Sequence, residues 1–153
     1  MILTAWRITK KKFQKDAFTG RGAKEYGGRW NPRGLAAIYT SDTLSLAILE
    51  LLVHYEETEI ISDYIAIPIE FDDSNMSSLS IGQMPSDWKD YPYPESTQDH
   101  GRHWLETRSG AVLKVPSVVV PQQHNFIFNP AHPEFQSFKI GPGVENPLDS
   151  RLF

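Results

Sequence analysis

Residues 40–55 carry the strongest structural signal in the sequence, because helix-start residues lead directly into a dense apolar run. The side-chain oxygens of Thr40, Ser41 and Asp42 suit the unpaired amide groups of a first helical turn. Positions 44–55 hold nine apolar or aromatic residues, so the predicted helix is buried over most of its surface. Its most apolar side is predicted to comprise Leu44, Ile48, Leu51, Leu52 and Tyr55, opposite Asp42, Ser45, Leu49 and Glu56.

Glu50 is the one charged residue in the middle of this helix. It lies about 130° around the helix axis from the polar stripe that Ser45 begins. An unpaired carboxylate on a buried face costs several kcal/mol or changes its protonation, so Glu50 needs a partner. A structural salt bridge, a place at the edge of the buried face and a catalytic role all satisfy that need, and the helix alone leaves the three open.

The run from Tyr26 to Gly34 precedes this helix and combines three glycines with two arginines. Glycines allow close approach of the backbone to a ligand, and the forked donors of Arg29 and Arg33 suit phosphate or carboxylate oxygens. The run lacks the spacing of a phosphate loop or a dinucleotide fingerprint. It therefore predicts either an anion-binding loop or a tight turn.

Composition narrows the class of protein. A chain of 153 residues with 40% hydrophobic residues can form one domain, and a single domain over residues 1–153 is predicted. The absence of cysteine excludes disulfides, zinc–thiolate sites and iron–sulfur clusters. Neither a leader-like start nor a long apolar run is present, so a cytoplasmic location without membrane spanning is expected.

Charge argues against direct binding of nucleic acid, since the formal net charge is -4. The basic residues are nevertheless concentrated before position 34. This asymmetry fits an anionic ligand of modest size, and it equally fits a solvated basic face.

The pattern of the whole chain predicts an α+β fold, with a mixed or antiparallel strand-rich centre and flanking helices. Pro68 places its strand at a sheet edge or beside a bulge. The stretch 72–98, rich in Asp, Ser and Pro, is predicted to lack regular structure. A second, short helix is expected over 99–108, and strands or β-rich segments over 2–9, 35–40, 64–71, 111–121, 125–129 and 135–140.

Other chemistries find little support in the sequence. His100 and His103 are three residues apart on a predicted helix, but no third ligand stands at a suitable spacing, so no metal site is predicted. Ser117 does not sit on the strand-to-helix elbow of a serine hydrolase. A ribonuclease would have the necessary residue types but lacks interleaved basic and aromatic residues. Trp30 lies in the loop, where it serves either as a core anchor or as a stacking surface.

The order of these pieces resembles the RES domain, the toxin family of bacterial RES–Xre toxin–antitoxin pairs, over residues 5–153. The similarity is carried by Arg7, Gly27-Gly28-Arg29-Trp30-Asn31, Gly34, Tyr39, Glu50, Pro116-Ser117, Asn129-Pro130-Ala131-His132-Pro133 and Asp149-Ser150-Arg151-Leu152-Phe153. The resemblance implies a fold similar to ADP-ribosyltransferases. It also implies a type II toxin that cleaves NAD+ at the nicotinamide–ribose bond, depletes the cell of NAD and arrests growth.

Carried over by position, the resemblance assigns the family's arginine to Arg29, its tyrosine to Tyr39 and its glutamate to Glu50. Its serine falls on Ser117 or on the neighbouring Ser109, and Arg7 is a further arginine at a matching place. Glu50, Arg29 and Tyr39 are the predicted catalytic residues, whereas Arg7, Arg29, Tyr39 and Ser117 are predicted to bind the nucleotide. NAD+ is then the substrate, and no cofactor or metal is expected.

The chemistry of NAD+ cleavage suits these residue types. Nicotinamide leaves as a neutral molecule and the ribose becomes a sugar cation, which one carboxylate can stabilise, and Glu50 is assigned that role. Tyr39 is predicted to stack on nicotinamide, and Arg29 with Arg7 to hold the pyrophosphate. Ser117 is predicted either to hydrogen-bond the nucleotide or to orient Glu50.

The sequence leaves the acceptor of the ADP-ribosyl group open. Water gives a glycohydrolase, which is placed first, phosphate gives a phosphorylase, and a protein side chain gives an ADP-ribosyltransferase. A non-catalytic nucleotide-binding module is the alternative from another class. The resemblance also implies an Xre-like helix-turn-helix antitoxin that covers the active site, so that any contact with DNA is indirect.

Overall fold

Eight strands form one sheet at the centre of the protein, whose computed structural model describes every residue from Met1 to Phe153. In chain order the strands are β1 Ile2–Lys10, β2 Ile38–Ser41, β3 Tyr64–Asp72, β4 Met76–Ser78, β5 Val112–Pro116, β6 His124–Phe128, β7 Lys139–Ile140 and β8 Val144–Glu145. The α-helices are α1 Arg21–Tyr26, α2 Leu44–Leu52 and α3 Glu95–Thr107. Short 3-10 helices cover Lys11–Asp16, Ile61–Asp63, Asp73–Asn75, Ile81–Gln83, Pro133–Ser137 and Ser150–Leu152.

The sheet is mixed but mostly antiparallel, as the sequence predicted. Its strand order is β4-β5-β6-β2-β1-β3-β7, with β8 also pairing β3, and only the β4–β5 pair is parallel. The β1–β3 pair runs in register from Ile2 opposite Asp72 to Lys10 opposite Tyr64. No helix has the length and apolar character needed to cross a lipid bilayer.

Alternation of side chains along the strands fills both faces of the sheet. On β6, Phe126 and Phe128 belong to one core cluster, whereas Ile127 between them belongs to another. The first cluster contains Ala5, Ile38, Ile69, Phe71, Ala111, Val112, Phe126 and Phe128. The second, which α3 helps to form, contains Trp30, Ala37, Trp104, Leu105, Leu113, Val115 and Ile127.

Of the two roles that its loop position left open for Trp30, core anchor and stacking surface, the structure shows the core anchor. Only 2% of its surface is exposed, and it packs in the cluster that joins α3 to the sheet. Pro68 does not mark an edge strand, because β3 lies between β1 and the short strands β7 and β8. It lies opposite Trp6 on β1, and on its other side it separates the residues that pair with β8 from those that pair with β7.

The start of α2 differs from the prediction. Thr43 is the N-cap residue, and its side chain accepts a hydrogen bond from the Leu46 amide at 3.1 Å. Thr40 and Ser41 belong instead to β2, where strand pairing with β6 holds their backbone extended. The most buried helix residues are Leu46 and Ala47, rather than the predicted stripe, because α2 packs on β1 and β2 through that side.

The prediction of a strand over 135–140 is wrong for most of its length. Residues Pro133–Ser137 form a 3-10 helix, which places Phe135 and Phe138 on one side of a single turn. Both rings pack against the first core cluster, and their spacing of three residues fits a 3-10 turn and not the two-residue period of a strand. The sequence also missed α1, β4 and β8, and α3 begins four residues earlier than the predicted position 99.

Candidate active site

A cavity of about 1030 Å³ opens beside α2 and receives residues from distant parts of the chain. Arg7, Arg29, Tyr39 and Glu50, four of the five predicted site residues, line it. Ser117, the fifth, is completely buried behind the cavity wall. The fold therefore brings together side chains from β1, the glycine-rich loop, β2 and α2.

Helix α2 places Glu50 at this cavity. Leu46 and Ala47 are buried against the sheet, and Glu50 follows them by four and three positions, so all three share one side of the helix. Ala47 and Glu50 both line the cavity, and Glu50 is half-buried. The sheet therefore covers Leu46 and Ala47, and one turn further along the same side of the helix Glu50 faces the cavity.

The Glu50 carboxylate is held asymmetrically. Its Oε1 atom accepts hydrogen bonds from Ser117 Oγ at 2.6 Å and from Asn125 Nδ2 at 2.7 Å. Oε2 accepts none from the protein, and no lysine or arginine forms an ion pair with Glu50. This excludes the structural salt bridge that the helix alone had left open.

Both donors are themselves fixed by the surrounding backbone and strands. Ser117 Oγ accepts the amides of Val119 and Val120, each at 3.1 Å, so its single hydrogen is directed at Glu50. The Asn125 Oδ1 atom accepts from Ser41 Oγ at 2.8 Å, which turns its NH₂ group toward the carboxylate. Ser41 and Asn125 are register partners of β2 and β6.

Of the two serines that matched the family position, Ser117 makes this contact. Ser109 is exposed and bonds Thr107 at the end of α3. Ser117 lies outside the cavity lining, so of its two predicted roles its contacts support the orientation of Glu50. Asn125 was not among the predicted site residues, because only the strand register reveals that its side chain reaches Glu50.

Tyr39 joins the cavity wall to the glycine-rich loop. Its hydroxyl donates to Asn31 Oδ1 at 2.6 Å and accepts the Trp30 amide at 2.9 Å. Burial raises the pKa of the phenol above its ordinary value, so it is neutral at physiological pH. Gly28 is required here, since a Cβ atom at that position would stand 2.5 Å from the Tyr39 hydroxyl.

Arg29 spans from the loop to the segment that precedes α3. Its Nη1 atom donates to the carbonyl oxygens of Trp88 at 2.6 Å and Asp90 at 2.9 Å. The guanidinium lies 5.1 Å from the centre of the Tyr93 ring. Burial lowers its pKa, and the neighbouring Tyr93 and Glu50 oppose that shift, so Arg29 is a fixed positive charge in the cavity wall.

Arg7 brings a second positive charge from β1. Its Nη1 atom donates to the Tyr39 carbonyl at 3.0 Å, whereas its buried Nε atom has no partner. Burial lowers the pKa of Arg7 to about 10, which still leaves it protonated at physiological pH. Two arginines with unused donors in one cavity suit the oxygen atoms of a phosphate or pyrophosphate.

Metal ligands do not cluster in this structure. No group of three or more His, Cys, Asp or Glu side chains is arranged to hold a metal ion. His100 and His103 are exposed on α3.

Comparison with known proteins shows which family the chain is similar to. The RES domain model matches residues 4–149. A "Toxin Res" of Yersinia enterocolitica is 42% identical over 132 residues, 86% of this chain and 87% of that protein. A "Toxin Res" of Photorhabdus laumondii is 37% identical, with 99% and 97% covered. A "Prs ADP-ribosylating toxin" of Sphingobium is 33% identical, with 91% and 89% covered.

The fold is shared with a solved toxin–antitoxin assembly. A chain of the M. tuberculosis MbcT-MbcA toxin-antitoxin complex superposes with a TM-score of 0.75 at 20% sequence identity. The match covers 99% of this chain and 87% of that one. It confirms the predicted α+β architecture, and together with the match over residues 4–149 it shows that the chain belongs to the RES domain family.

Proposed function

We propose that this protein is the toxin of a toxin–antitoxin pair and that it cleaves NAD+ at the nicotinamide–ribose bond. Membership of the RES domain family and relatives named as toxins support the first part. The observation that carries the second is the asymmetric carboxylate of Glu50. Its Oε1 atom is bound by two neutral donors, and its Oε2 atom is unpaired in a cavity with two arginines.

This arrangement suits a reaction in which positive charge develops on a sugar. As nicotinamide leaves, the ribose acquires oxocarbenium character, and a fixed carboxylate stabilises that charge more strongly than the ground state. Glu50 also accepts hydrogen bonds from the ribose hydroxyls in this proposal. The hydrogen-bond partners of Glu50 are neutral, so no protein cation is paired with the carboxylate that would face the sugar cation.

The other cavity residues bind and position the dinucleotide. Arg7 and Arg29 hold the pyrophosphate through their unused donors. Tyr39 contributes the side of its ring to the cavity, next to the nicotinamide, while its hydroxyl keeps the loop in place. Ser117 orients Glu50 and does not touch the nucleotide.

Water is the acceptor that we place first, which makes the protein an NAD+ glycohydrolase. A protein acceptor is the second candidate, because one relative is named as an ADP-ribosylating toxin. Incubation of the protein with NAD+, with and without phosphate, separates the outcomes by the mass of the products. Free ADP-ribose indicates hydrolysis, a phosphorylated ADP-ribose indicates a phosphorylase, and label on a protein indicates transfer.

The test of the proposed function is the substitution Glu50→Gln. The amide keeps an oxygen that can accept from Ser117 and Asn125, so the fold is preserved while the charge is lost. We expect NAD+ cleavage to fall at least about a hundredfold, as for the loss of one preorganised electrostatic group, and growth arrest to disappear. The measurements are nicotinamide release by the purified protein and the growth of cells that express it.

Glu70→Gln is the matched control, since Glu70 is an exposed carboxylate on β3 outside the cavity. Full activity is expected for this control variant. Retained NAD+ cleavage by Glu50→Gln would contradict the assignment of Glu50. Binding of NAD+ without nicotinamide release by the unaltered protein would instead identify a non-catalytic nucleotide-binding module.

An antitoxin partner forms part of the proposal. The solved structure that shares this fold is a toxin–antitoxin complex, and the family resemblance implies a helix-turn-helix protein of the Xre type. The protein then acts in the cytoplasm, where NAD+ and the antitoxin are both present. Co-expression with such an antitoxin should restore growth, whereas co-expression of an unrelated helix-turn-helix protein should not.

A further inference from the structure

The rim of the cavity carries an aromatic surface that the mechanism above does not use. His54, Tyr91 and Tyr93 line the cavity together with Lys89. Tyr91 is 71% exposed, one of the most exposed large side chains in the protein. An exposed aromatic ring at the mouth of a binding cavity is a typical contact surface for a planar ligand group.

The backbone that carries Tyr91 is anchored on both sides. Trp88 is buried, and Arg29 bonds the carbonyl oxygens of Trp88 and Asp90, the latter next to Tyr91. Further along, Tyr93 lies against the Arg29 guanidinium, with 5.1 Å between the guanidinium carbon and the ring centre. The Tyr91 ring is therefore presented by an ordered segment, which lowers the entropy cost of stacking on it.

Neighbouring rings also fix the orientation of Tyr91. Its ring centre is 5.3 Å from that of Tyr93 in an edge-to-face arrangement, with 89° between the planes. Its ring centre is 6.1 Å from that of His54, at 47°. These contacts support the Tyr91 ring from two sides and leave most of its surface to solvent.

The end of α2 relates this surface to the reacting end of the cavity. His54 follows Glu50 by four residues and lies two residues beyond the end of α2 at Leu52, and both Glu50 and His54 line the cavity. The bond that breaks must lie at Glu50, so the nicotinamide ribose occupies the inner part of the cavity. The other half of a dinucleotide must then extend past the arginines toward the rim.

We propose that Tyr91, supported by His54 and Tyr93, is the stacking site for the adenine base of the dinucleotide. This inference rests on the proposed function, because it assumes that NAD+ is the substrate. Lys89 adds a positive charge near the adenosine phosphate at the same rim. Stacking of a base on an aromatic side chain strengthens binding. It does not alter the contacts at the nicotinamide end, where the bond breaks.

The experiment compares two substrates of the full-length protein. NAD+ carries the adenine, whereas nicotinamide mononucleotide keeps the reacting bond and lacks the adenosine half. We expect Tyr91→Ala to raise KM for NAD+ about tenfold, the lower range for the loss of one base–aromatic stack. The kcat for NAD+ and both constants for nicotinamide mononucleotide should stay unchanged, and Tyr91→Phe should behave like the unaltered protein.

Phe13→Ala is the control, since Phe13 is a 51% exposed aromatic residue that does not line the cavity. Titration of NAD+ into Glu50→Gln, with and without Tyr91→Ala, measures binding separately from turnover, and the same tenfold loss is expected there. Unchanged KM and binding of NAD+ in Tyr91→Ala would overturn the inference and leave the proposed function intact. Failure of the unaltered protein to bind or cleave NAD+ would overturn both.

Discussion

At the scale of single residues, the catalytic role proposed for Glu50 rests on the kind of partner that its carboxylate has. A lysine or arginine partner would have cancelled its charge, whereas Ser117 and Asn125 position it without cancelling it. Ser117 and Asn125 donate hydrogen bonds that offset the partial burial of the Glu50 carboxylate. A hydrogen bond to a carboxylate is stronger than one between neutral partners. The Oε2 atom has no protein partner, so it is available to a ligand in the cavity that Glu50 lines.

Because Ser117 and Asn125 bond the same oxygen atom, their contributions to activity should not be independent. We expect Ser117→Ala and Asn125→Ala each to lower kcat by roughly tenfold to a hundredfold, as for a small misplacement of a reacting group. KM should change little, since neither side chain bonds Arg7 or Arg29, the residues proposed to hold the pyrophosphate. Steady-state kinetics of the two single variants and the double variant give the coupling between them.

The control for this cycle is Ser109→Ala, which removes an exposed hydroxyl that bonds Thr107 and does not line the cavity, and it should leave kcat unchanged. Additive effects of Ser117→Ala and Asn125→Ala on kcat would contradict a shared role in orienting Glu50. So would a rise in KM with unchanged kcat, which would indicate direct contact with the nucleotide.

At the scale of elements, α3 is fitted against the loop that carries Arg29. Gly101 faces the Trp30 backbone so closely that a Cβ atom would lie 1.6 Å from the Trp30 carbonyl oxygen. Three residues earlier on the same helix, Gln98 donates to the Gly28 carbonyl oxygen at 3.0 Å. The helix therefore defines the path of the glycine-rich loop, and through it the position of Arg29.

Two helix glycines give a matched test of this packing. Helix propensity alone predicts that Gly101→Ala and Gly22→Ala both stabilise their helices, by up to about 1 kcal/mol. A Cβ atom at Gly22 would meet nothing within 4 Å, so Gly22→Ala should follow the propensity. Gly101→Ala should instead lower the free energy of unfolding by about 2 kcal/mol or more, because only movement of backbone relieves the overlap.

Urea denaturation followed by circular dichroism measures the free energy of unfolding of both variants. NAD+ cleavage should also fall in Gly101→Ala, since the loop that holds Arg29 must shift away from α3. A stable and fully active Gly101→Ala variant would show that the close approach between α3 and Trp30 does not determine the site.

At the scale of the whole molecule, the site residues are held by the same sheet and helix that form the core of the protein. Glu50 comes from α2, Asn125 from β6, Arg7 from β1 and Ser117 from the turn after β5. Three of these four residues lie in or directly beside the sheet that forms the core. Loss of sheet packing must therefore dismantle the site as well.

We expect NAD+ cleavage and secondary structure to be lost in one cooperative transition. Activity, circular dichroism and tryptophan fluorescence should show the same urea midpoint, the signature of two-state unfolding in a single domain. Fluorescence reports the core directly, because Trp30 and Trp104 are both buried in the second cluster. Loss of activity at clearly lower urea, with the other two signals intact, would show that the site opens independently of the sheet.

Much of the fold could be predicted from the sequence, because the strongest elements have local signals. The strand around Ile65–Phe71 alternates, and the apolar run after Thr43 has helical periodicity, so both were predicted at nearly their observed positions. The two-residue strand β8 has no such local signal, and β7 covers only the last two residues of the strand predicted over 135–140. They exist only because β3 offers an unpaired edge, which is a property of the assembled sheet.

The site residues also fall into two groups, those that the sequence identified and those that only the tertiary structure revealed. Residue chemistry alone identified Glu50 as a carboxylate in need of a partner and Arg29 as a cation in a glycine-rich loop, because charge on an apolar helix and glycine in a loop are local facts. The identity of the partners was decided by the tertiary structure. Asn125 reaches Glu50, and Tyr91 reaches the cavity rim, through strand register and loop anchoring between residues far apart in the chain, which no local pattern encodes.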